Sequence, residues 1–229
     1  MSDPHAHVHP LPRSGHEDPW LQHHFEDLGQ QHETASFGMW VFLVTEILFF
    51  GGLFAAYAVY RSLHPDAFER ASATLDVTLG GINTAVLIGS SLTVALSVHA
   101  AQLGRLRAVG GWLAATLVLG AVFLAIKGVE YAHKVHEGHV PGPDFRFEEA
   151  PGGAEQLFFA LYFAMTGLHA FHMIVGMVLL AWLSFHALRG RFTAEHHPWV
   201  EMTGLYWHFV DLVWIFLFPL LYLIGRHAP

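Results

Sequence analysis

The sequence predicts an all-α membrane protein, a bundle of five transmembrane helices. Hydrophobic residues make up 53% of its 229 residues and charged residues only 13%, whereas soluble domains carry about 25% charged residues. The hydrophobic residues are grouped into five runs, each near the roughly 20 residues that a helix needs to cross a bilayer. The runs lack the alternation of barrel strands, and a helix satisfies its own backbone hydrogen bonds in lipid.

The five predicted spans follow one another with most of the charged residues between them. They cover approximately 37–60, 79–101, 109–127, 157–185 and 203–225. Their odd number places the two ends of the chain on opposite sides of the membrane. Arg105 and Arg107 lie in the shortest connection without an acidic neighbour, which favours a cytoplasmic N-terminus. The connection between the third and fourth spans is rich in proline, glycine and acidic residues and is expected to be a surface loop.

Residues 1–36 are predicted to form a polar N-terminal tail ahead of a five-helix domain that covers 37–229. The tail holds seven of the 19 histidines and a single basic residue. Because it has no continuous apolar run, we expect no signal peptide. Its histidine-rich composition is compatible with binding of a divalent metal, but a tail that is merely solvated is the favoured interpretation.

Composition and histidine spacing argue against a cofactor in this chain and against nucleic acid as a partner. The net charge of -8 disfavours binding to phosphates, and the absence of cysteine excludes thiolate-ligated metal centres. His172 and His186 have the spacing of ligands to two haems, but no other span supplies a matching pair. No third histidine with suitable neighbours completes an intramembrane copper site.

Glu46 is the most conspicuous ionisable residue in a predicted span. It follows about ten residues of the first span, roughly 15 Å into the membrane at about 1.5 Å per residue. An ionisable group at that depth costs about 2.5–3.5 kcal/mol, so it needs a partner, a wet cavity or a function. Two interpretations stay open, a proton-carrying group or a neutral acid that hydrogen-bonds to a neighbouring helix.

Three further polar residues are predicted to reach a similar depth. His208 and Asp211 are three residues apart on one face of the fifth span, and His172 lies on the fourth span, which runs the opposite way. These side chains and Glu46 can therefore meet in one polar layer, in which His208 and Asp211 are expected to pair. Such a layer is either a proton relay or a buried network of hydrogen bonds between helices.

Other polar and small residues predict contacts between helices. Lys127 and Glu130 end the third span, so we expect an ion pair whose lysine side chain extends towards the membrane surface. Candidates for hydrogen bonds between helices are Asn83, Ser90, Ser91 and Thr93. Close backbone approach is expected at Gly51 with Ala55, Gly52 with Ala56, and Gly111 with Ala115.

Several motifs, taken in order along the chain, resemble subunit III of the haem-copper respiratory oxidases. They are GMWVFL at 38–43, EILFFGGLFAAY at 46–57, NTAVL at 83–87, GVEY at 128–131, TGLH at 166–169 and YWHFVD at 206–211. His172 follows the fifth motif, and His196, His197 and Glu201 precede the last. The resemblance covers about 37–225, and its last motif is highly specific.

The resemblance implies a multi-pass subunit of a bacterial inner membrane that carries no redox centre. In that family haem and copper belong to subunits I and II. Subunit III packs on subunit I, supports proton uptake and turnover stability, and holds phospholipid in a cleft. Glu46 then corresponds to the buried carboxylate near that cleft and a proposed oxygen route. Glu130, His208 and Asp211 match motif positions, and Glu201 joins them in the expected intramembrane polar network.

We expect the chain to serve a cytochrome c oxidase, which takes electrons from cytochrome c, reduces oxygen to water and pumps protons. Longer family members have seven spans, and the two that precede the Glu46 motif have no counterpart in this sequence, as in five-span bacterial members. The alternatives are an accessory subunit of a quinol oxidase or of a nitric oxide reductase. A stand-alone proton-coupled carrier is a further alternative, although the sequence has no inverted repeat.

Overall fold

The computed structural model describes residues 28–147, 153–189 and 197–224, and within these ranges the chain is helical without strands. The helices are α1 (Leu28–Leu63), α2 (Pro65–Ala73), α3 (Val77–Gln102), α4 (Leu106–His136), α5 (Ala154–Leu188) and α6 (His197–Tyr222). All except α2 are long and apolar enough to cross a membrane. The predicted bundle of five transmembrane helices is confirmed.

The long helices extend beyond the apolar windows that predicted them. α4 continues to His136, whereas its window ended at Lys127. Helices run on in this way because the headgroup regions add roughly 10–15 Å to the apolar thickness of a bilayer. α1 likewise begins at Leu28, inside the predicted tail. The chain divides into two compact units, 1–39 and 40–229, and the tail histidines before residue 28 lie outside the described residues.

The short helix α2 was not predicted, because nine residues are too few for a membrane-length window. It begins with a proline, which suits the first turn of a helix, and it buries Ala67, Phe68, Ala71 and Ser72. The Phe68 ring packs edge-on against Phe158 of α5, with centroids 5.5 Å apart. The Ser72 hydroxyl donates a 2.6 Å hydrogen bond to the carbonyl of Leu221. α2 therefore closes one end of the bundle over α5 and the end of α6.

Glycines allow close packing among α4, α5 and α6, but not where the sequence predicted it. A Cβ atom on Gly176 of α5 would lie 2.9 Å from the Trp207 ring, and one on Gly120 of α4 would lie 3.0 Å from the same ring. Trp207 is completely buried, so these two glycines make the space that it fills. Nothing lies within 4 Å of a Cβ on Gly51, Gly52 or Gly111. The expectation that those three glycines mark close approach between helices is therefore wrong within this chain.

From residue 40 onwards, α1 packs on the bundle through large side chains. The Phe50 ring lies 5.4 Å from the ring of His172 on α5 and 6.2 Å from Phe209 on α6. The Tyr57 hydroxyl donates a 2.5 Å hydrogen bond to the carbonyl of Leu220. Aromatic spacers of this size keep two helix backbones further apart than glycines do.

Candidate functional site

Glu46 of α1 and His172 of α5 form a hydrogen-bonded pair. Nε2 of His172 lies 3.0 Å from Oε2 of Glu46, and the two side chains are 10% and 18% exposed. Nδ1 of His172 lies 2.9 Å from the carbonyl of Leu168, one turn earlier on the same helix. A carbonyl oxygen only accepts, so Nδ1 carries a proton that it donates to Leu168.

That backbone bond determines what the Glu46 pair can do chemically. With Nδ1 protonated, Nε2 of His172 is either the acceptor of a proton from neutral Glu46 or the donor to the Glu46 carboxylate. One proton therefore lies between the two side chains in both forms. The phenol of Tyr206 also donates a 3.1 Å hydrogen bond to the carbonyl of His172, which attaches this turn of α5 to α6. The arrangement can hold a proton and pass it between α1 and α5.

His208 lies apart from this pair, on the seam between α3 and α6. Its Nδ1 is 2.7 Å from the hydroxyl oxygen of Ser91. The polar layer expected from the sequence is thus divided, because Glu46 bonds His172 while His208 bonds Ser91. The difference arises from the rotation of α6 about its axis, which turns Tyr206 and Phe209 towards α1 and His208 towards α3.

The expected hydrogen bond between His208 and Asp211 is not formed. Asp211 is buried, and within the described residues neither of its carboxylate oxygens has a well-formed hydrogen bond. Ser91 is the polar side chain beside the carboxylate, but the Ser91 hydroxyl makes its close hydrogen bond with His208. A spacing of three residues placed both groups on one side of α6, but only His208 finds a close partner.

Lys127 of α4 lies at the centre of a buried polar cluster. Its Nζ donates to Oε2 of Glu130 at 3.1 Å, to the Tyr162 hydroxyl at 3.1 Å and to the Tyr222 hydroxyl at 2.8 Å. The two tyrosine hydroxyls in turn donate to Oε1 of Glu130 at 2.8 and 2.5 Å. All three ammonium protons and both carboxylate oxygens have partners. We call Lys127, Glu130, Tyr162 and Tyr222 the lysine cluster.

The predicted direction of the Lys127 side chain is wrong. Lys127 is 5% exposed and Glu130 is 6% exposed, so the ion pair points into the bundle rather than towards the membrane surface. The two tyrosines come from α5 and α6 and were not anticipated. A tyrosine inside a span needs a hydrogen-bond partner for its hydroxyl, and that requirement was the signal available for Tyr162.

The predicted hydrogen bonds from α3 are confirmed. Asn83 donates through Nδ2 to the carbonyl of Phe123 on α4 at 3.4 Å. The hydroxyls of Thr93 and Thr116 lie 2.8 Å apart. Ser90 accepts a 3.1 Å hydrogen bond from the Trp207 indole, and Ser91 bonds His208. These contacts tie α3 to both of its neighbours, α4 and α6.

His169, which belongs to the TGLH motif, and Glu201, the remaining acid of the predicted polar network, take no part in the Glu46–His172 pair. His169 is 1% exposed and lies between the rings of Phe123 and Trp214, at 5.5 and 5.2 Å. Neither of its ring nitrogens has a hydrogen-bond partner within the described residues. Glu201 lies near the start of α6 and accepts a 3.1 Å hydrogen bond from Gln102 at the end of α3. Among the described residues, no group of three or more histidines or acids is arranged to hold a metal ion.

Comparison with known proteins assigns the chain to a family. The family model described as cytochrome c oxidase subunit III matches residues 22–226. The chain belongs to this family. It is 33% identical over 199 residues to cytochrome c oxidase subunit 3 of Thermostichus vulcanus, which covers 85% of this chain and 91% of that protein. It is also 33% identical over 189 residues to the probable cytochrome c oxidase subunit 3 of Nocardia farcinica, with 82% and 87% covered.

The subunit III family also includes subunits of quinol oxidases. The quinol oxidase subunit 3 of Bacillus spizizenii is 32% identical over 194 residues, which covers 82% of this chain and 86% of that protein. The chain is therefore a multi-pass membrane subunit of a haem-copper oxidase, an oxidoreductase complex that is either a cytochrome c or a quinol oxidase. The family resemblance predicted from the sequence motifs is confirmed.

Proposed function

We propose that this member of the subunit III family is the non-catalytic subunit III of a bacterial, proton-pumping cytochrome c oxidase. It packs on subunit I, while subunits I and II carry the haem and copper and cytochrome c supplies the electrons. The complex lies in the inner membrane with the N-terminus of this chain in the cytoplasm. The chain supports proton uptake and protects the complex during turnover.

The observation that carries this proposal is the Glu46–His172 pair. A carboxylic acid and an imidazole that share one proton across 3.0 Å can pass that proton from one side chain to the other with little movement. A pair that passes a proton between two helices within the membrane suits a subunit that supports proton uptake. A group with a purely structural role would need only one fixed protonation state.

The packing of α1 supports a role for bound phospholipid. Between residues 41 and 59, the exposed side chains of α1 are apolar apart from Thr45 and include Val41, Val44, Ile47 and Leu48. α1 meets α6 through phenylalanine rings, Phe50 against Phe209 and Phe54 against Phe216, rather than through close backbone contact. Acyl chains fit beside a helix held in this way, next to the half-buried Glu46.

The first test is purification of the tagged chain from its native membranes in mild detergent. We expect haem, copper and a many-span partner to co-purify, with oxygen uptake driven by reduced cytochrome c. Uptake driven by quinol alone would assign the chain to a quinol oxidase, the alternative that the Bacillus spizizenii relative supports. A colourless chain without partners would overturn the proposal.

The second test is Glu46→Gln in the same complex. Glutamine keeps the size of the side chain and its hydrogen bond to His172 but cannot release a proton. We expect normal assembly with fewer protons pumped per electron or a shorter lifetime during turnover. Glu201→Gln is the matched control, because the same chemical change is made outside the pair. Unchanged pumping and lifetime in Glu46→Gln would remove Glu46 from the proposal.

A further inference from the structure

We propose that the outer surface of the α3–α6 seam around His208 is the docking surface for a transmembrane helix of a partner subunit. The partner helix presents a hydrogen-bonding group to Nε2 of His208. We call the surface formed by Ile88, Leu92, His208, Leu212 and Ile215 the seam surface. The inference rests on the proposed function in taking another oxidase subunit as the partner.

His208 is half-buried and one of its ring nitrogens is satisfied. Nδ1 bonds the hydroxyl of Ser91 at 2.7 Å. Nε2 has no hydrogen-bond partner within the described residues, and it is not among the buried polar atoms. The ring therefore directs an accessible donor or acceptor away from the interior of the bundle.

The surroundings of His208 on the seam surface are apolar. Leu212 and Ile215 of α6 are 50% and 45% exposed, and Ile88 and Leu92 of α3 are 54% and 61% exposed. All of these residues lie within the spanning parts of α3 and α6. The seam surface is thus an apolar strip with one polar group at membrane depth.

Lipid alone is a poor cover for such a strip. Acyl chains cannot hydrogen-bond, so a ring nitrogen that faces them loses the bond it would make in water. Histidines in membrane spans accordingly face protein or a wet cavity, and polar side chains of this kind help transmembrane helices to associate. A partner helix with a serine, threonine, asparagine or similar group opposite Nε2 satisfies the nitrogen and buries the apolar strip around it.

A comparison within the chain supports this choice of face. His172, the histidine beside α1, has both ring nitrogens engaged, with Glu46 and with the carbonyl of Leu168. Val118 of α4 and Val178 of α5 are 62% and 64% exposed, and both lie in spanning segments. Like Leu92, each lies about ten to twelve residues from the end of its helix on the side where α3 ends and α4 begins. These valines are matched positions on the outward faces of α4 and α5, which the proposal assigns to lipid.

The natural absence of cysteine makes a clean cross-linking test available. Leu92→Cys, Leu212→Cys, Val118→Cys and Val178→Cys are made one at a time, labelled with a benzophenone maleimide in native membranes and irradiated. We expect Leu92→Cys and Leu212→Cys to give an adduct with the same oxidase subunit, and the two valine variants to give no protein adduct. No protein adduct from either leucine variant, or adducts from the valine variants instead, overturns the proposal.

The identity of the adduct separates this inference from the proposed function. An adduct of two copies of this chain contradicts a partner subunit and indicates self-association. An adduct with a membrane protein that does not co-purify with the oxidase leaves the docking surface in place but contradicts an oxidase subunit as its partner. Co-purified haem and oxygen uptake, with no protein adduct from either leucine variant, would support the proposed function and contradict the docking surface.

A second measurement tests the polar contact itself. His208→Phe keeps a ring but removes the hydrogen bond at Nε2 together with the bond from Nδ1 to Ser91. We expect recovery of the partner subunit with the tagged chain to fall roughly fivefold in detergent, as for one lost hydrogen bond between helices in a membrane. His208→Gln supplies an amide and is expected to restore most of the recovery. Ser91→Ala, which removes only the hydrogen bond inside the chain, is the control. Equal recovery with His208→Phe and with the control contradicts a contact at Nε2.

Discussion

Lys127 and Glu130 are joined by a 3.1 Å hydrogen bond inside a bundle of membrane-spanning helices, and both are almost inaccessible. The phenols of Tyr162 and Tyr222 lie against both charges and complete their hydrogen bonding. Desolvation of two charges is compensated only when the geometry is good and further hydrogen bonds satisfy the remaining groups. The lysine cluster meets that condition with side chains from three helices, so it constrains the relative positions of α4, α5 and α6.

Removing the lysine alone is expected to be strongly destabilising. Lys127→Met leaves the Glu130 charge buried without its counter-ion, at a cost of about 3–5 kcal/mol in the free energy of unfolding. The measurement is thermal or denaturant unfolding of the purified chain in detergent. The double variant Lys127→Met with Glu130→Gln removes both charges and is expected to recover most of the loss. A single variant as stable as the parent would show that the pair does not hold the helices together.

Removing one phenol is expected to cost less than removing the charge. Tyr222→Phe takes one acceptor from Lys127 and one donor from Glu130, a loss of about 1–3 kcal/mol for the groups left without partners. Tyr60→Phe is the matched control, since Tyr60 is 40% exposed on α1. If the two variants unfold at the same temperature, the Tyr222 hydroxyl contributes nothing measurable.

The packing of Trp207 predicts opposite outcomes for two glycine substitutions. Gly176→Ala places a methyl group 2.9 Å from the buried indole, so overpacking of about 1–3 kcal/mol is expected. Gly51→Ala meets nothing within 4 Å and is expected to leave the unfolding transition of the chain unchanged or slightly raised. The reverse order of stabilities would contradict the placement of Trp207 against α5.

Asp211 is expected to tolerate replacement by an apolar residue better than Ser91 tolerates loss of its hydroxyl. The Asp211 carboxylate is buried without a well-formed hydrogen bond, so Asp211→Leu removes a desolvated group and should change stability by less than about 1 kcal/mol. Ser91→Ala leaves Nδ1 of His208 without its partner and should cost about 1 kcal/mol. Comparison of the two unfolding curves checks this, and a larger loss of stability in Asp211→Leu would show that the buried carboxyl group makes a stabilising contact.

The loop after α4 is expected to loosen as the pH falls. Burial and the charge of Lys134 lower the pKa of His139 below its ordinary value of 6.5, despite Glu137 at 3.1 Å. The folded loop therefore binds the proton less tightly than the unfolded chain does. The stabilising contribution of neutral His139 is complete above about pH 6.5 and declines as the pH falls from there towards the lower folded pKa.

Glu137 contributes to the same loop at lower pH. Burial opposes its ionisation, but the hydrogen bond and charge of Lys134 outweigh burial, and the pKa of Glu137 is below its ordinary value of 4.5. Its contribution is present above the ordinary pKa and is lost as the pH falls through the folded pKa. Amide hydrogen exchange of residues 138–146, corrected for intrinsic rates, measures both effects.

His139→Phe separates the two contributions to the loop. The His139 ring stacks on Phe159 with centroids 4.7 Å apart, and phenylalanine can keep that contact. We expect the variant to lose the pH dependence that begins near pH 6.5 and to retain the one below pH 4.5. Unaltered exchange profiles in the variant would show that His139 is not the titrating group.

Hydropathy along the chain was enough to predict the number of spans and their order. A helix in lipid must be long, apolar and internally hydrogen-bonded, and each of these requirements is visible in a run of residues. The same reasoning identified Glu46 and the polar residues of α3, because a polar side chain at membrane depth needs a partner whatever its neighbours are. The motifs around Glu46 and His208 likewise allowed the family to be predicted from the sequence alone.

Tertiary structure decided which polar groups meet. Lys127 turns inward because Tyr162 and Tyr222 converge on it from two other helices, and nothing in the spacing of α4 contains that information. His208 bonds Ser91 rather than Asp211 or Glu46 because α6 is rotated about its axis so that the His208 ring faces α3. Depth in the membrane follows from position along a helix, whereas partnership depends on the angle of the helix about its own axis. That angle is set by the packing of large side chains such as Trp207 against Gly120 and Gly176.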